Sequence, residues 1–305
     1  VPPDRAPTLA PPPRDWRTWP TWCLLGLVWC AARLPWSWQR ALGGAFGSLL
    51  ARLPTRRRHY ARVNLGLCFP ELDARARQRL LRAQFRGFGI GLFEFLRAWW
   101  GDLAPLRREA CIEGVERLQA LHADGRGILL VSGHFMTLEP SGRLLSEHLP
   151  LAGMYRRYRN PVWEWAVKRG RARYTVAMFA NDEMRAAVRY LRHGGVLWYA
   201  PDQDMRGKDT VFAPFFGRAA ATITATHQLA RLTGCAVVPF FHRREGRRYV
   251  LRVGTPLADF PGPDAAADGA RVNAAIEAMV REAPDQYLWI HRRFKRQPDG
   301  TRLYD

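Results

Sequence analysis

The chain has 305 residues, enough to bury a sizeable core in one large domain with or without an N-terminal attachment. Its 48% hydrophobic and 24% charged residues exclude a disordered chain, and its five scattered cysteines (23, 30, 68, 111 and 235) show neither a Cys-x-x-Cys nor a zinc spacing. The net charge of +20 implies an anionic partner: nucleic acid, a lipid headgroup or a phosphorylated substrate.

Residues 1–15 are rich in proline and read as a flexible tail. The stretch 16–35 places Trp16, Trp19, Trp22 and Trp29 around an apolar run, with Arg14 and Arg17 before it, Arg33 after it and Pro35 to end a helix. The run is shorter than the ~20 residues of a spanning helix, and tryptophan favours the membrane–water interface. It is read as a membrane anchor, spanning at a tilt or lying in the interface, with a buried core helix as the alternative. No small-x-small cleavage site marks a signal peptide. The cysteines are read as reduced, in a protein facing the cytosol.

A helical region follows over 36–105. Its first helix, 36–52, carries Gly43, Gly44 and Gly47 for close packing. Arg56, Arg57, Arg58 and Arg62 form a basic patch suited to anionic lipid, at ~1 kcal/mol per residue near the surface. Residues 72–100 read as a helix, with Leu81, Phe85, Phe88, Leu92, Phe95 and Trp99 at spacings of three and four.

From 106 to 305 short strands alternate with helices. Strands are predicted at 110–113, 127–132, 151–155, 175–179, 195–200, 236–242 and 248–254. Helices are predicted at 114–123, 137–148, 161–172, 182–193, 221–233 and 268–283. The expected class is α/β: a mostly parallel central sheet flanked by helices, behind an N-terminal helical membrane-attachment region. In open sheets of this kind the active site lies at the carboxyl ends of the strands. His134, Tyr155 and Asp202 each fall just after a predicted strand and are expected to converge there. The chain has no P-loop, no Gly-x-Gly-x-x-Gly after a strand and no Gly-x-Ser-x-Gly elbow.

The chemistry centres on the run 127–140. An apolar strand ends at Ser132 and Gly133, His134 follows, and Glu139 lies five residues on. With eight histidines and 27 acidic residues, chance supplies about 0.7 such pairs (8 × 27/305), so the spacing alone is weak. Context strengthens it: the glycine turn exposes the histidine at the strand end, and Thr137 is placed to cap the next helix. A carboxylate on one imidazole nitrogen fixes the tautomer and makes the other a general base. A structural histidine at a strand end is the competing reading. With no serine elbow and no activated cysteine, direct attack by an acceptor hydroxyl is expected, without an acyl-enzyme.

Several motifs in one order carry a resemblance: 62–71 (RVNLGLCFPE), 132–139 (SGHFMTLE), 196–204 (VLWYAPDQD), 211–217 (VFAPFFG) and 283–295 (APDQYLWIHRRFK). Across roughly residues 16–298 the chain resembles the bacterial lipid A late (secondary) acyltransferases, the lauroyl/myristoyl transferases. These belong to the glycerolipid acyltransferase superfamily with its His-x4-Asp/Glu motif. The resemblance implies transfer of a fatty acyl chain from acyl carrier protein to a hydroxyl on a hydroxyacyl chain of a lipid A precursor, in lipopolysaccharide biosynthesis. It implies the cytoplasmic face of the Gram-negative inner membrane, a thioester donor, and no metal or other cofactor. Carried over by position, His134 is the base, Glu139 its partner, and Arg171 and Asp202 the remaining charged site residues. One departure is Arg157, which stands where the family pattern has proline. The chain ends soon after the last motif and is expected to be a whole domain without a C-terminal extension.

Physical reasoning adds substrate contacts. A phosphorylated acceptor suits arginine, whose fork binds phosphate bidentately. Six arginines lie between 156 and 173; Arg156 and Arg171 are singled out, with Tyr155 and Asn160 in the same loop region. Asp202 is expected either to hold Arg171 by a salt bridge or to contact substrate. The apolar side chains of 72–100 and of 212–216 are candidates for the acyl slot. Arg56–Arg58 and Arg292–Arg293 are candidates for docking acidic acyl carrier protein. Another acceptor lipid for the same chemistry is one alternative; a non-catalytic basic protein binding membrane or nucleic acid is another. No nucleic-acid motif supports the latter, and no nucleic-acid partner is expected.

Overall fold

A computed structural model describes residues 11–205 and 209–305; residues 1–10 of the expected tail lie outside the described residues. A single 3-10 turn, Trp16–Thr18, leads into four helices: α1 (Trp19–Ala31), α2 (Trp36–Leu50), α3 (Arg56–Cys68) and α4 (Ala74–Trp100). Short α5 (Ala104–Arg108) then precedes the sheet. Capping side chains fix two of these starts: Thr55 accepts the Arg58 N–H and Asp73 accepts the Ala76 N–H.

The glycines of α2 let it lie against α4 backbone to backbone. A Cβ on Gly47 would stand 2.1 Å from the Phe85 carbonyl oxygen, and one on Gly43 would stand 2.6 Å from that of Gly89. Helix α1 buries only Leu25, so the core-helix alternative for this stretch does not hold. Trp16, Trp19, Leu24, Leu27 and Trp29 are exposed there, with Trp38, Leu42, Phe46 and Leu49 on α2. No helix among the described residues is long and apolar enough to cross a membrane.

Beyond the helices run β1 (Ala110–Glu113), α6 (Val115–Ala123), β2 (Ile128–Val131), α7 (Leu138–Leu145), β3 (Leu151–Tyr155), α8 (Pro161–Arg171), β4 (Ala177–Ala180), α9 (Met184–Arg192) and β5 (Val196–Tyr199). The chain closes with β6 (Thr210–Phe215), β7 (Arg218–Ile223), α10 (Ala225–Thr233), β8 (Ala236–Glu245), β9 (Arg248–Val253) and α11 (Ala265–Glu282). Among the described residues the strands form a seven-stranded sheet in the order β1-β9-β8-β2-β5-β3-β4 and a separate β6-β7 hairpin. The five strands from β8 to β4 are mutually parallel; β9 turns back antiparallel on β8 and carries β1 with it. The expected α/β class and mostly parallel sheet are what the chain adopts.

One predicted element differs. The helix expected over 221–233 starts at Ala225, because residues up to Ile223 pair as β7 with β6. Phe215 and Phe216 of that hairpin fill the core around Trp289 and Phe69. Strand β2 is buried at all four positions, as a central parallel strand covered on both faces must be.

Candidate active site

Strands β2 and β5 are neighbours in parallel register, with Val131 opposite Tyr199. His134 lies three residues beyond Val131, and Asp202 three beyond Tyr199, so equal steps past paired positions bring them together. The Asp202 carboxylate is bidentate on His134. It accepts the backbone N–H at 2.8 Å through Oδ2 and faces ring Nδ1 at 2.5 Å through Oδ1. Tyr287 is a further neighbour that helps hold the Asp202 carboxyl ionised. With Nδ1 so engaged, Nε2 is the nitrogen left for substrate. Burial alone would lower the His134 pKa, but the Asp202 charge and hydrogen bond outweigh it and raise the ring above its ordinary value. For Asp202 burial acts upward, and the same pairing overcomes it to hold the carboxyl well below the carboxylate range.

Glu139 is therefore not the partner of His134; among the described residues the two form no hydrogen bond. It sits in the first turn of α7, buried, as the acceptor for three other groups. Trp99 Nε1, at the end of α4, donates at 2.9 Å, and Arg171 Nε, at the end of α8, donates at 2.9 Å. The Tyr174 hydroxyl and a second Arg171 nitrogen complete the set. A carboxylate with four donors is fully used. The expected Asp202–Arg171 bridge is likewise replaced, since each has another partner. Burial would lower the Arg171 pKa, yet Glu139 raises it, so the guanidinium stays charged. That charge is felt at the His134 ring, where it acts to lower the pKa.

The remaining predicted residues are dispersed. Tyr155 ends β3, one strand beyond β5, with its hydroxyl turned to Glu164 at 2.6 Å. Asn160 caps α8 by accepting from Val162 and Trp163, and donates to Thr21 at 3.1 Å. Both serve the fold of the α8 region, while Arg156 is exposed. Of the other arginines in that window, Arg157 pairs with Asp182 and Glu183, and Arg173 donates to the Trp99 carbonyl. Thr137 makes no cap; its hydroxyl meets His242 Nδ1 at 2.8 Å. Arg293 is buried and holds the Ala221 carbonyl and Asn273, which removes it from any docking surface.

Distant motifs supply the frame. The His134 carbonyl accepts from Leu288 N–H at 2.9 Å, and Met136 N–H donates to the Gln286 carbonyl at 2.9 Å. Asn64 holds the carbonyls of Trp289 and His291, each at 2.6 Å. Tyr287 and Asn64 were not singled out from sequence, and only their place inside two of the long motifs marked them.

Two concave features stand out among the described residues. A groove of about 650 Å³ between α1 and α8 is lined by Trp22, Trp29, Trp100, Trp165, Arg169 and Arg173. A smaller cleft of about 190 Å³ has His291 in its wall, and that ring stands 6.3 Å, centroid to centroid, from the His134 ring. The groove is larger, and the cleft is the one linked to the histidine, through His291. Phe85 and Trp99 of α4, and Phe215 and Phe216 of the hairpin, are consumed by core packing rather than lining a slot.

The family model described as Bacterial lipid A biosynthesis acyltransferase matches residues 10–296. The chain is 37% identical over 288 residues to the lipid A biosynthesis lauroyltransferase of Escherichia coli (strain K12), covering 93% of this chain and 94% of that one. It is 36% identical to the lipid A biosynthesis palmitoleoyltransferase of the same organism, covering 93% and 94%. With that organism's lipid A biosynthesis myristoyltransferase the identity is 25%, over 94% of this chain and 90% of the other.

Proposed function

The chain belongs to the bacterial lipid A biosynthesis acyltransferases, and on that premise we propose that it adds a late fatty acyl chain to a lipid A precursor. The donor in this reading is a thioester on acyl carrier protein. The acceptor is a hydroxyl on a hydroxyacyl chain already present.

The observation that carries the mechanism is the Asp202 carboxylate on His134 Nδ1 at 2.5 Å. It fixes the tautomer and leaves Nε2 basic. The acceptor oxygen attacks the thioester carbonyl while Nε2 takes its proton. The tetrahedral intermediate then collapses, the C–S bond breaks, and the sulfur leaves as the thiol with the proton from His134. Arg171, steered by Glu139, offers a fixed positive charge near the ring, suited to the oxyanion or to an anionic acceptor group. No acyl-enzyme is needed. The tryptophan-lined groove is the berth for an acyl chain; its Trp100 packs edge-on against Trp99, which donates to Glu139.

In the same reading the enzyme rests on the cytoplasmic face of the inner membrane. The exposed apolar side chains of α1 and α2 lie in the interface, the surrounding arginines meet anionic lipid, and acyl carrier protein docks on exposed arginines such as Arg56.

The test is transfer from acyl carrier protein, loaded with chains of several lengths, to a lipid A precursor, read by mass spectrometry. The wild type is expected to add one chain, and His134→Ala to lose about 10²–10⁴-fold in rate while remaining folded. Full activity in His134→Ala would sink the mechanism.

A further inference from the structure

We propose that the cleft walled by His291, one ring away from His134, is a phosphate subsite, built to hold a phosphate ester of one of the two substrates while the hydroxyl is acylated. The proposal rests on the acyl-transfer reading of His134. Its walls bring Arg57, Arg292 and Lys295 together with His291 and Gln203. The one carboxylate in the wall, Asp204, is already committed: it accepts from Arg296 Nε at 2.8 Å and from the Arg296 N–H at 3.0 Å. Arg57 and Arg292 bring positive charge to the cleft. Among the described residues neither Arg57 nor Arg292 is ion-paired with a carboxylate.

These cations are positioned rather than loose. Arg57 donates to the Ile290 carbonyl at 3.1 Å, and Arg292 stacks over the Tyr60 ring with its guanidinium carbon 5.3 Å from the centroid. Both leave further N–H groups for an oxyanion. His291 is anchored through its carbonyl to Asn64, and its ring stands 6.3 Å, centroid to centroid, from that of His134. Burial and the neighbouring His134 push the His291 pKa down to about 4, so the ring is neutral and can donate a hydrogen bond without adding charge. The volume of about 190 Å³ lies below the roughly 300–1,000 Å³ of pockets that enclose whole organic ligands, and suits a single headgroup. A pair of guanidinium groups with one neutral imidazole, one ring away from the base, recognises a tetrahedral oxyanion on the reacting molecule. Either a phosphate of the glycolipid acceptor or the phosphate of the pantetheine arm of the donor has that chemistry.

The experiment compares wild type, Arg57→Gln, Arg292→Gln and the remote charge-matched control Arg247→Gln in the transfer assay. The acceptor is supplied with and without its phosphates, and the donor as acyl-phosphopantetheine and as acyl-pantetheine. An acceptor phosphate in the cleft raises the acceptor KM roughly tenfold in the two cleft variants, and the penalty disappears with the dephosphorylated acceptor. A donor phosphate shifts the donor KM instead, and the penalty disappears with acyl-pantetheine. Unchanged KM for both substrates in both cleft variants overturns the subsite and leaves the acyl-transfer reading standing. A wild type inactive on every lipid A precursor counts against that reading alone. The cleft is then judged without turnover, by titrating methyl phosphate against the wild type and following the His291 imidazole by NMR. A saturable shift that is lost in Arg57→Gln supports the subsite, and no shift in the wild type overturns it.

Discussion

Asp202 does two jobs with one carboxylate: it holds the His134 backbone and it sets the ring's proton affinity. Because the pairing raises the His134 pKa, the base form is populated only above that raised value. Removing the charge lets burial dominate and lowers the ring pKa. In Asp202→Asn the acid limb of the kcat/KM profile is therefore expected to move to lower pH, while the plateau falls about 10²–10⁴-fold because the weaker base has lost its oriented tautomer. A pH–rate series on both proteins checks this; an acid limb that stays in place would show that another group governs it. Glu139 belongs to the same scale with a different role. Its four donors come from Trp99, Arg171 and Tyr174, so it ties three chain segments together around a charged guanidinium.

Helix α2 packs against α4 backbone to backbone, and the crossing depends on glycine at the contact. Without a Cβ the backbones approach until Gly47 meets Phe85 and Gly43 meets Gly89. Since the obstacle is backbone rather than a flexible side chain, a larger residue must part the helices. Gly47→Leu is expected to cost about 1–3 kcal/mol by overpacking, measured as a lower midpoint in urea denaturation. An unchanged midpoint would mean that the crossing relaxes freely. Helix α4 also delivers Trp99 to Glu139, so the same variant should slow transfer beyond its loss of stability. The pairing of β2 with β5 is the other decisive element. Both residues were expected just past strand ends, but only once the two strands are known to be neighbours does an equal step of three join His134 to Asp202.

At the scale of the whole molecule, a net charge of +20 coexists with exposed tryptophan and leucine on the first two helices. Interfacial binding then has two components, and only the electrostatic one is screened by salt. Co-sedimentation with vesicles containing phosphatidylglycerol is expected to weaken as salt rises but to persist. The double variant Leu27→Ser/Trp38→Ser should lose the salt-resistant part. Complete release of the wild type at high salt would remove the apolar face from the account.

The sequence by itself determined the α/β class, the helical N-terminal region, the strand-turn placement of His134 and the family. Those features are local periodicity, turn chemistry and ordered motifs, all carried along the chain. Which carboxylate meets which base was decided by the tertiary structure. Glu139 is five residues from His134 and Asp202 is 68, yet Asp202 makes the bond. Strand order and register are properties of pairing between distant segments, and side-chain direction after a tight turn follows from where the neighbouring helices α4 and α8 pack. Sequence spacing favoured the near carboxylate; the sheet presented the far one at the carboxyl end of the adjacent strand.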